Sequence, residues 1–179
     1  MVSMLKNDSI VSIHPMMVSD LSDVCKIQQR CYHSSYWEDV EIFAEKIDLF
    51  PCGCFVAFVG DLCGGYIFSH PWIKDKAVPL NSLIYPLPSV RCSYYLHDCS
   101  VDPMARGKGI GEKLVKEVMK TACHIGANNM QLVSVQQSQN YWGRFGFVTL
   151  KDLSLKSNDC LENYSTDAVM MSLTLKKID

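Results

Sequence analysis

Hydrophobic positions recur along this chain with a period of two in some stretches and of three to four in others, and the changes of period mark its elements. Residues 9 to 14 (SIVSIH) are β-branched and partly alternating and run into Pro15, which predicts a short first strand. Ser19 and Asp20 offer N-cap oxygens to a helix through Leu21, Val24, Cys25, Ile27 and Gln28. A second helix is predicted from Trp37 to Leu49, with Val40, Phe43, Ala44 and Ile47 on one face and a stop before Pro51. FVAFV (55 to 59), the Gly60-Asp61 turn and GGYIFSH (64 to 70) read as an antiparallel hairpin. From Pro71 to Pro88 the chain holds four of its seven prolines and little periodicity, as in an ordered loop over one end of a sheet.

SYYLHDCSV (93 to 101) is the next predicted strand, ended by Pro103. The glycine-rich run ARGKGIG (105 to 111) then opens an amphipathic helix with Leu114, Val115, Val118, Met119 and Ala122 on its apolar face. MQLVSV (130 to 135) reads as a strand, residues 138 to 145 as a short helix ended by Gly146, and FVTL (147 to 150) as the start of another strand. A polar connection (151 to 166) leads to the last strand, AVMMSLTL (168 to 175). No repeat or linker interrupts the pattern, so one domain over 1–179 is expected, with its core at about 10–175 and an α/β architecture.

Composition narrows the classes. Hydrophobic residues at 48% and charged residues at 20% suit a folded domain, and a net charge of −2 gives no field for nucleic acid or anionic lipid. Nine cysteines, an odd number in no regular frame, and an N-terminus without a signal-like apolar core point to reduced thiols in the cytoplasm. No apolar run reaches the roughly 18 residues that would span a bilayer.

A strand, a glycine cluster and a long helix together form an anion site, because glycines let the main chain approach a ligand and the first helical turn presents free N–H groups. A P-loop requires Ser or Thr after Gly-Lys, which neither lysine here has, and a dinucleotide fingerprint requires its third glycine where Glu112 stands. What remains is Arg106-x-x-Gly109-x-Gly111, joined later by YWGRFGF (141 to 147). These segments resemble the two motifs of the GNAT superfamily of acetyl-CoA-dependent N-acetyltransferases, and the order of elements matches that family over about residues 10 to 175. The resemblance implies an α+β fold, a mixed, mostly antiparallel sheet of six to seven strands flanked by about four helices. It also implies acetyl-CoA as co-substrate. The main chain of Arg106, Gly107, Lys108, Gly109, Ile110 and Gly111, with Glu112, would hold the pyrophosphate, and Cys99, Ser100 and Val101 would pair with the pantetheine arm. Lys108 and Lys113 are candidates to add charge near the phosphates, with plain solvated surface as the alternative.

Acetyl transfer to an amine needs a base, an oxyanion site and an acid for the thiolate. Strict alternation along 93 to 101 would put Tyr95, His97, Cys99 and Val101 on one face and Tyr94, Leu96, Asp98 and Ser100 on the other. His97 is the first candidate base, with Asp98 as competitor if a bulge shifts the face. The segment is similar to the His-x-His strand of the arylalkylamine N-acetyltransferase branch, with Tyr95 at the first histidine's place and His97 at the second. The resemblance also implies a backbone N–H near Val101 for the oxyanion. Many family members carry a tyrosine where this chain has Trp142, so Tyr141 becomes the candidate acid, beside another tyrosine, water or no dedicated acid. A covalent acetyl-Cys99 is the weaker alternative to direct transfer, and Cys52-x-Cys54 alone is weak evidence for a metal.

Tyr32, His33, Tyr36 and Trp37, with His70, Trp72 and Tyr85 at the loop, are candidate walls for the acceptor, and of these Tyr32, Tyr36 and Trp72, with Tyr95, lead. The expected acceptor is a small-molecule amine. A protein or peptide acceptor, and a GNAT-like module that binds acyl-CoA without turnover, are the alternatives. Neither nucleic acid, membrane nor metal is expected as a partner, and the chain is expected to be a monomer or homodimer.

Overall fold

The computed structural model, which describes residues 10–88, 93–151, 161 and 164–175, gathers the β-branched runs into one seven-stranded sheet. β1 (Val11–Pro15), β2 (Cys54–Val59), β3 (Leu62–Trp72) and β4 (Ser93–Val101) follow one another antiparallel. β5 (Asn129–Ser134) runs parallel to β4, and β7 (Val169–Thr174) lies antiparallel between β5 and the two-residue edge strand β6 (Val148–Thr149). Among the described residues, the α-helices α1 (Leu21–Cys31), α2 (Val40–Leu49), α3 (Ile110–His124) and α4 (Gln139–Gly143) join the sheet.

Two boundaries differ from the sequence pattern for local reasons. The second helix begins at Val40 rather than Trp37, because Ser34–Tyr36 forms a separate 3-10 turn and Asp39 is extended. β3 continues through Pro71 to Trp72, which the prolines had suggested was loop. β2 ends its ladder opposite Phe68, so this part of β3 pairs only with β4 and the missing proline N–H breaks no second ladder.

The sheet separates two cores. On one face α3 lays Ile110, Leu114, Val115, Val118 and Ala122 against Ile67, Leu96, Met130 and Leu132. On the other, α1 and α2 bury Val24, Ile27 and Phe43 against Val56, Tyr66 and Phe68. Phe43 stacks on Phe68 with ring centroids 4.7 Å apart, a contact worth about 0.5–1.5 kcal/mol beyond the area it buries.

β4 changes sides midway. Phe68 pairs with Asp98 but Ser69 pairs with Leu96, so His97 is an extra residue, a β-bulge. Before it, Tyr94 and Leu96 face the α3 core; after it, Cys99 and Val101 do. The strict alternation expected from the sequence therefore fails at His97. Tyr95, His97, Asp98 and Ser100 share the α1/α2 side instead.

Candidate active site

β4 and β5 pair only through Ser93–Asn129, Tyr94–Met130 and Tyr95–Gln131. Beyond these, Leu96 to Val101 and Leu132 to Ser134 diverge without a ladder between them, and a cavity of about 580 Å³ fills the gap. Residues 96–101 line one wall and Leu132, Val133, Val135 and Gln136 the other. The start of α3 and the helix α4 close one end, while Tyr32, Tyr36, Glu38, Leu80 and Tyr164 close the opposite end. A diverging pair of strands leaves main-chain N–H and C=O groups facing the gap, and these favour an extended ligand that supplies the missing strand bonds.

The α3 end is built from main chain. Gly107 and Gly109 sit at φ +79 and +74, where a side chain strains the backbone, and a Cβ at either would still meet open space. The first bond within the helix runs from Lys113 N–H to the Gly109 carbonyl, so the N–H groups of Ile110, Gly111 and Glu112 have no partner within the helix. At Gly111 a Cβ would run into the Tyr141 hydroxyl. The turn before the cradle is fixed by Asp102, whose carboxylate accepts from Met104 N–H and from Arg30 Nε of α1, both within 2.9 Å.

Residues 21–147 match the family described as acetyltransferase (GNAT). The chain belongs to that family. No curated protein sequence matches it. Among solved structures, the loading GNATL domain of CurA from Lyngbya majuscula superposes with a TM-score of 0.75 at 15% identity, over 92% of this chain and 98% of that one. The GphF GNAT-like decarboxylase, solved with isobutyryl-CoA, gives 0.72 at 17% identity over 92% and 100%. The ribosomal-protein-S18-alanine N-acetyltransferase of Escherichia coli gives 0.66 at 16% over 95% and 97%. The architecture is thus the mixed α/β GNAT fold, and the protein is an acyltransferase. Its glycine cradle, with free N–H groups and room beside Gly107 and Gly109, fits the pyrophosphate of coenzyme A.

At the other end this GNAT site is acidic and aromatic. Asp98 accepts from the hydroxyls of Tyr66 at 2.6 Å and Tyr32 at 2.7 Å. Burial pushes its carboxyl up to about 6, against the lowering effect of the two tyrosine bonds. The tyrosines themselves, buried and beside a carboxylate, are held well above the usual phenol range and remain donors. His97 lies next to Asp98, but its side chain is only 2% exposed, so what the bulge shows the cavity is His97's main chain. Its Nε2 lies 2.7 Å from Glu38 Oε2, and its Nδ1 is buried without a hydrogen-bond partner among the described residues. Burial lowers the imidazole below its ordinary value, with Glu38 opposing. Glu38 is held at about 2, burial being outweighed by His97, Lys46 and the Asn81 N–H.

Near the cradle, Tyr141 leans over Gly111 with its ring 5.0 Å from Trp142 and 5.4 Å from Phe145. Trp142 packs into the α3 core and ties its indole N–H to Ser138 Oγ at 3.2 Å. It is a wall of the cavity, and the hydroxyl in reach is Tyr141's. Cys99, packed at the edge of the α3 core, has its thiol driven far up by burial and by Asp98, so it stays protonated and a poor nucleophile.

The cavity thus brings together His97, Asp98, Cys99, Ser100, Val101, Arg106, Gly107, Gly109, Ile110, Gly111, Glu112, Tyr141, Tyr32 and Tyr36. Lys108, between the positive-φ Gly107 and Gly109, stands exposed outside it. Trp72 and Tyr95 do not line it either. They pack with Val78 and Ile84 beneath the 73–88 loop, where the Tyr95 hydroxyl accepts from Val78 N–H. The exposed Tyr85 and His33 are also off the cavity. Glu38 and Tyr164 are walls that the sequence pattern missed. Neither lies in a motif, and only the folded chain carries them to β4. Among the described residues no cluster of His, Cys, Asp and Glu could hold a metal, and no helix is long and apolar enough to cross a membrane.

Proposed function

We propose that this GNAT protein is an N-acetyltransferase that moves the acetyl group of acetyl-CoA onto the primary amine of a small molecule by direct attack in a ternary complex. The observation that carries this reading is one continuous cavity with a main-chain anion cradle at one end and Glu38, Asp98, Tyr32 and Tyr36 at the other. The Asp98 carboxylate and the aromatic faces suit an ammonium ion on a small apolar body. Leu80 and Tyr164 narrow that end, which favours a compact acceptor.

The acetyl thioester supplies an activated acyl carbon, and the side chains manage protons around it. Asp98, with a carboxyl near 6, is largely ionised at neutral pH and takes the proton of the entering ammonium, leaving a nucleophilic amine. Unpaired main-chain N–H groups on the β4 edge face the oxygen on which negative charge develops. The Tyr141 hydroxyl, at the junction of cradle and strand, donates to the departing thiolate and is restored by the proton that the attacking nitrogen sheds as the amide forms. A coenzyme A thiol with a cysteine-like pKa near 8.5 asks little of that acid. A cytoplasmic setting suits the seven free cysteines among the described residues.

A panel of small amines and amino-terminal peptides, assayed for acetyl-dependent release of free thiol, tests the reading. Saturable release with a small amine is expected. Release only with peptides would move the acceptor class, and no release while acetyl-CoA still raises Tm would leave a binding module.

A further inference from the structure

Glu38 belongs to no helix or strand, yet three parts of the fold fix it. The side-chain amide of Gln28 in α1, itself buried, clamps its main chain from both sides, accepting from Glu38 N–H at 2.8 Å and donating to its carbonyl at 3.0 Å. One carboxylate oxygen faces His97 Nε2 at 2.7 Å, and the other accepts the Asn81 N–H at 2.9 Å. Asn81 also exchanges two bonds with the neighbouring residue: its Oδ1 accepts from Asp39 N–H at 2.8 Å and its Nδ2 donates to Asp39 Oδ2 at 3.0 Å. Glu38 and Asp39 thus form a latch between the start of α2 and the loop that carries Leu80 over the acceptor end.

The geometry points to Glu38 as the positioning residue that sets the tautomer of His97, and to Asn81 as the residue that makes this setting depend on the seating of the acceptor loop. A carboxylate at 2.7 Å requires the proton on Nε2, which leaves the lone pair of neutral His97 at Nδ1. The bulge that carries His97 also carries Asp98, so the latch reaches the proposed base through one peptide unit. This inference rests on the N-acetyltransferase reading for its kinetic consequences. The tautomer and the latch are properties of the free protein.

The groups that face this pair are Glu45 and Lys46 on α2, His70 on β3, Tyr95 and Asp98 on β4, and Tyr164 before β7. Lys46 is 1% exposed and its Nζ donates to the Ile42 carbonyl, so it stands as a buried positive charge near Glu38. Removing the Glu38 charge leaves burial and Lys46 disfavouring the protonation of His97, with Glu45 opposing them.

Nitrogen-15 NMR of the histidines in the protein without substrate tests the assignment apart from catalysis. Wild type is expected to show His97 as the Nε2–H tautomer, resisting protonation below the ordinary imidazole range. Glu38→Gln is expected to push that protonation to still lower pH, and Glu38→Asp, which keeps charge but not reach, to restore it in part. Asn81→Gly keeps the φ of +52 accessible and removes only the side-chain bonds to Asp39. It is expected to broaden the His97 signals and raise the amine KM several-fold with the acetyl-CoA KM unchanged. An Nδ1–H tautomer in wild type, or His97 signals and amine KM unmoved in all three variants, would overturn the assignment whether or not Tm falls. If His97 behaves as stated while no amine is acetylated, the latch stands and the catalytic reading falls.

Discussion

At the glycine end of the cavity the chain offers main-chain N–H groups at 110–112 beside two glycines of positive φ. At the acceptor end it offers the Asp98 carboxylate and tyrosine hydroxyls from different elements. The first end is complete within six consecutive residues. The second is assembled by bonds between residues far apart in sequence: Glu38 with His97 across 59 positions, Tyr32 with Asp98 across 66, and Tyr66 with Asp98 across 32. A site made of main chain tolerates most side-chain changes but not a change of backbone angle. A site made of buried side chains loses its chemistry when one atom is exchanged. Each end therefore fails under a different kind of substitution.

The largest effect is expected at the acceptor end. Asp98→Asn preserves shape and removes the proton acceptor, and kcat is expected to fall by roughly 10²–10⁴ with the KM for acetyl-CoA unchanged. Steady-state kinetics check this, and a loss below about tenfold would remove Asp98 as base. At the other end, Gly109→Val forces a β-branched residue to φ +74. The strain costs about 1–2 kcal/mol, and the affinity for coenzyme A by calorimetry is expected to drop at least about tenfold. Equal damage to amine and coenzyme A binding would show that the two ends are not separable.

Where the ends meet, Tyr141→Phe is expected to lower kcat by about tenfold, less than a full acid–base loss because the thiol leaves readily. Trp142→Phe is expected to change kcat by less than about threefold while costing stability, since it removes packing and one hydrogen bond. The reverse ranking would make the tryptophan a participant.

The smallest effect concerns acid stability. His70 is buried and held at about 3, against 6.5 when unfolded. Below pH 6.5 the unfolded chain gains a proton that the folded one refuses, so stability falls on acidification, by up to about 1.4 kcal/mol per pH unit. His97, also lowered, acts in the same direction. Asp98 opposes both. Raised from 3.8 to about 6, it takes up a proton in the folded state first and favours folding as pH falls through that window. Two histidines against one carboxyl leave a net loss, so Tm is expected to be lower at pH 5 than at pH 7, and His70→Phe to shrink the difference. An unchanged difference in that variant would mean His70 is protonated in the fold.

This contrast also governs how much was legible beforehand. Arg106-x-x-Gly109-x-Gly111 and YWGRFGF sit in consecutive residues, so the family, the order of elements and the cradle could be read from the chain alone. The bulge at His97 could not. Alternation assigns faces by parity, and one extra residue reverses every assignment after it, carrying Cys99 and Val101 to the α3 core and Asp98 to the tyrosines. Glu38 had no signal at all, because a lone glutamate between helices looks like solvent-facing polarity until Gln28, Asn81 and His97 close around it. Trp72 and Tyr95 were drawn to the acceptor by their aromatic character, yet burial under the loop uses them as packing.

The cradle's reliance on main-chain angles also bears on inheritance. A binding surface whose specifications are torsions and free amides, with glycine required at only a few places, spells out little in the alphabet of side chains. Divergence can then overwrite nearly every letter around it. Structures that agree at TM-scores of 0.66 to 0.75 share only 15 to 17% of their residues with this chain, so the fold persists where the spelling does not.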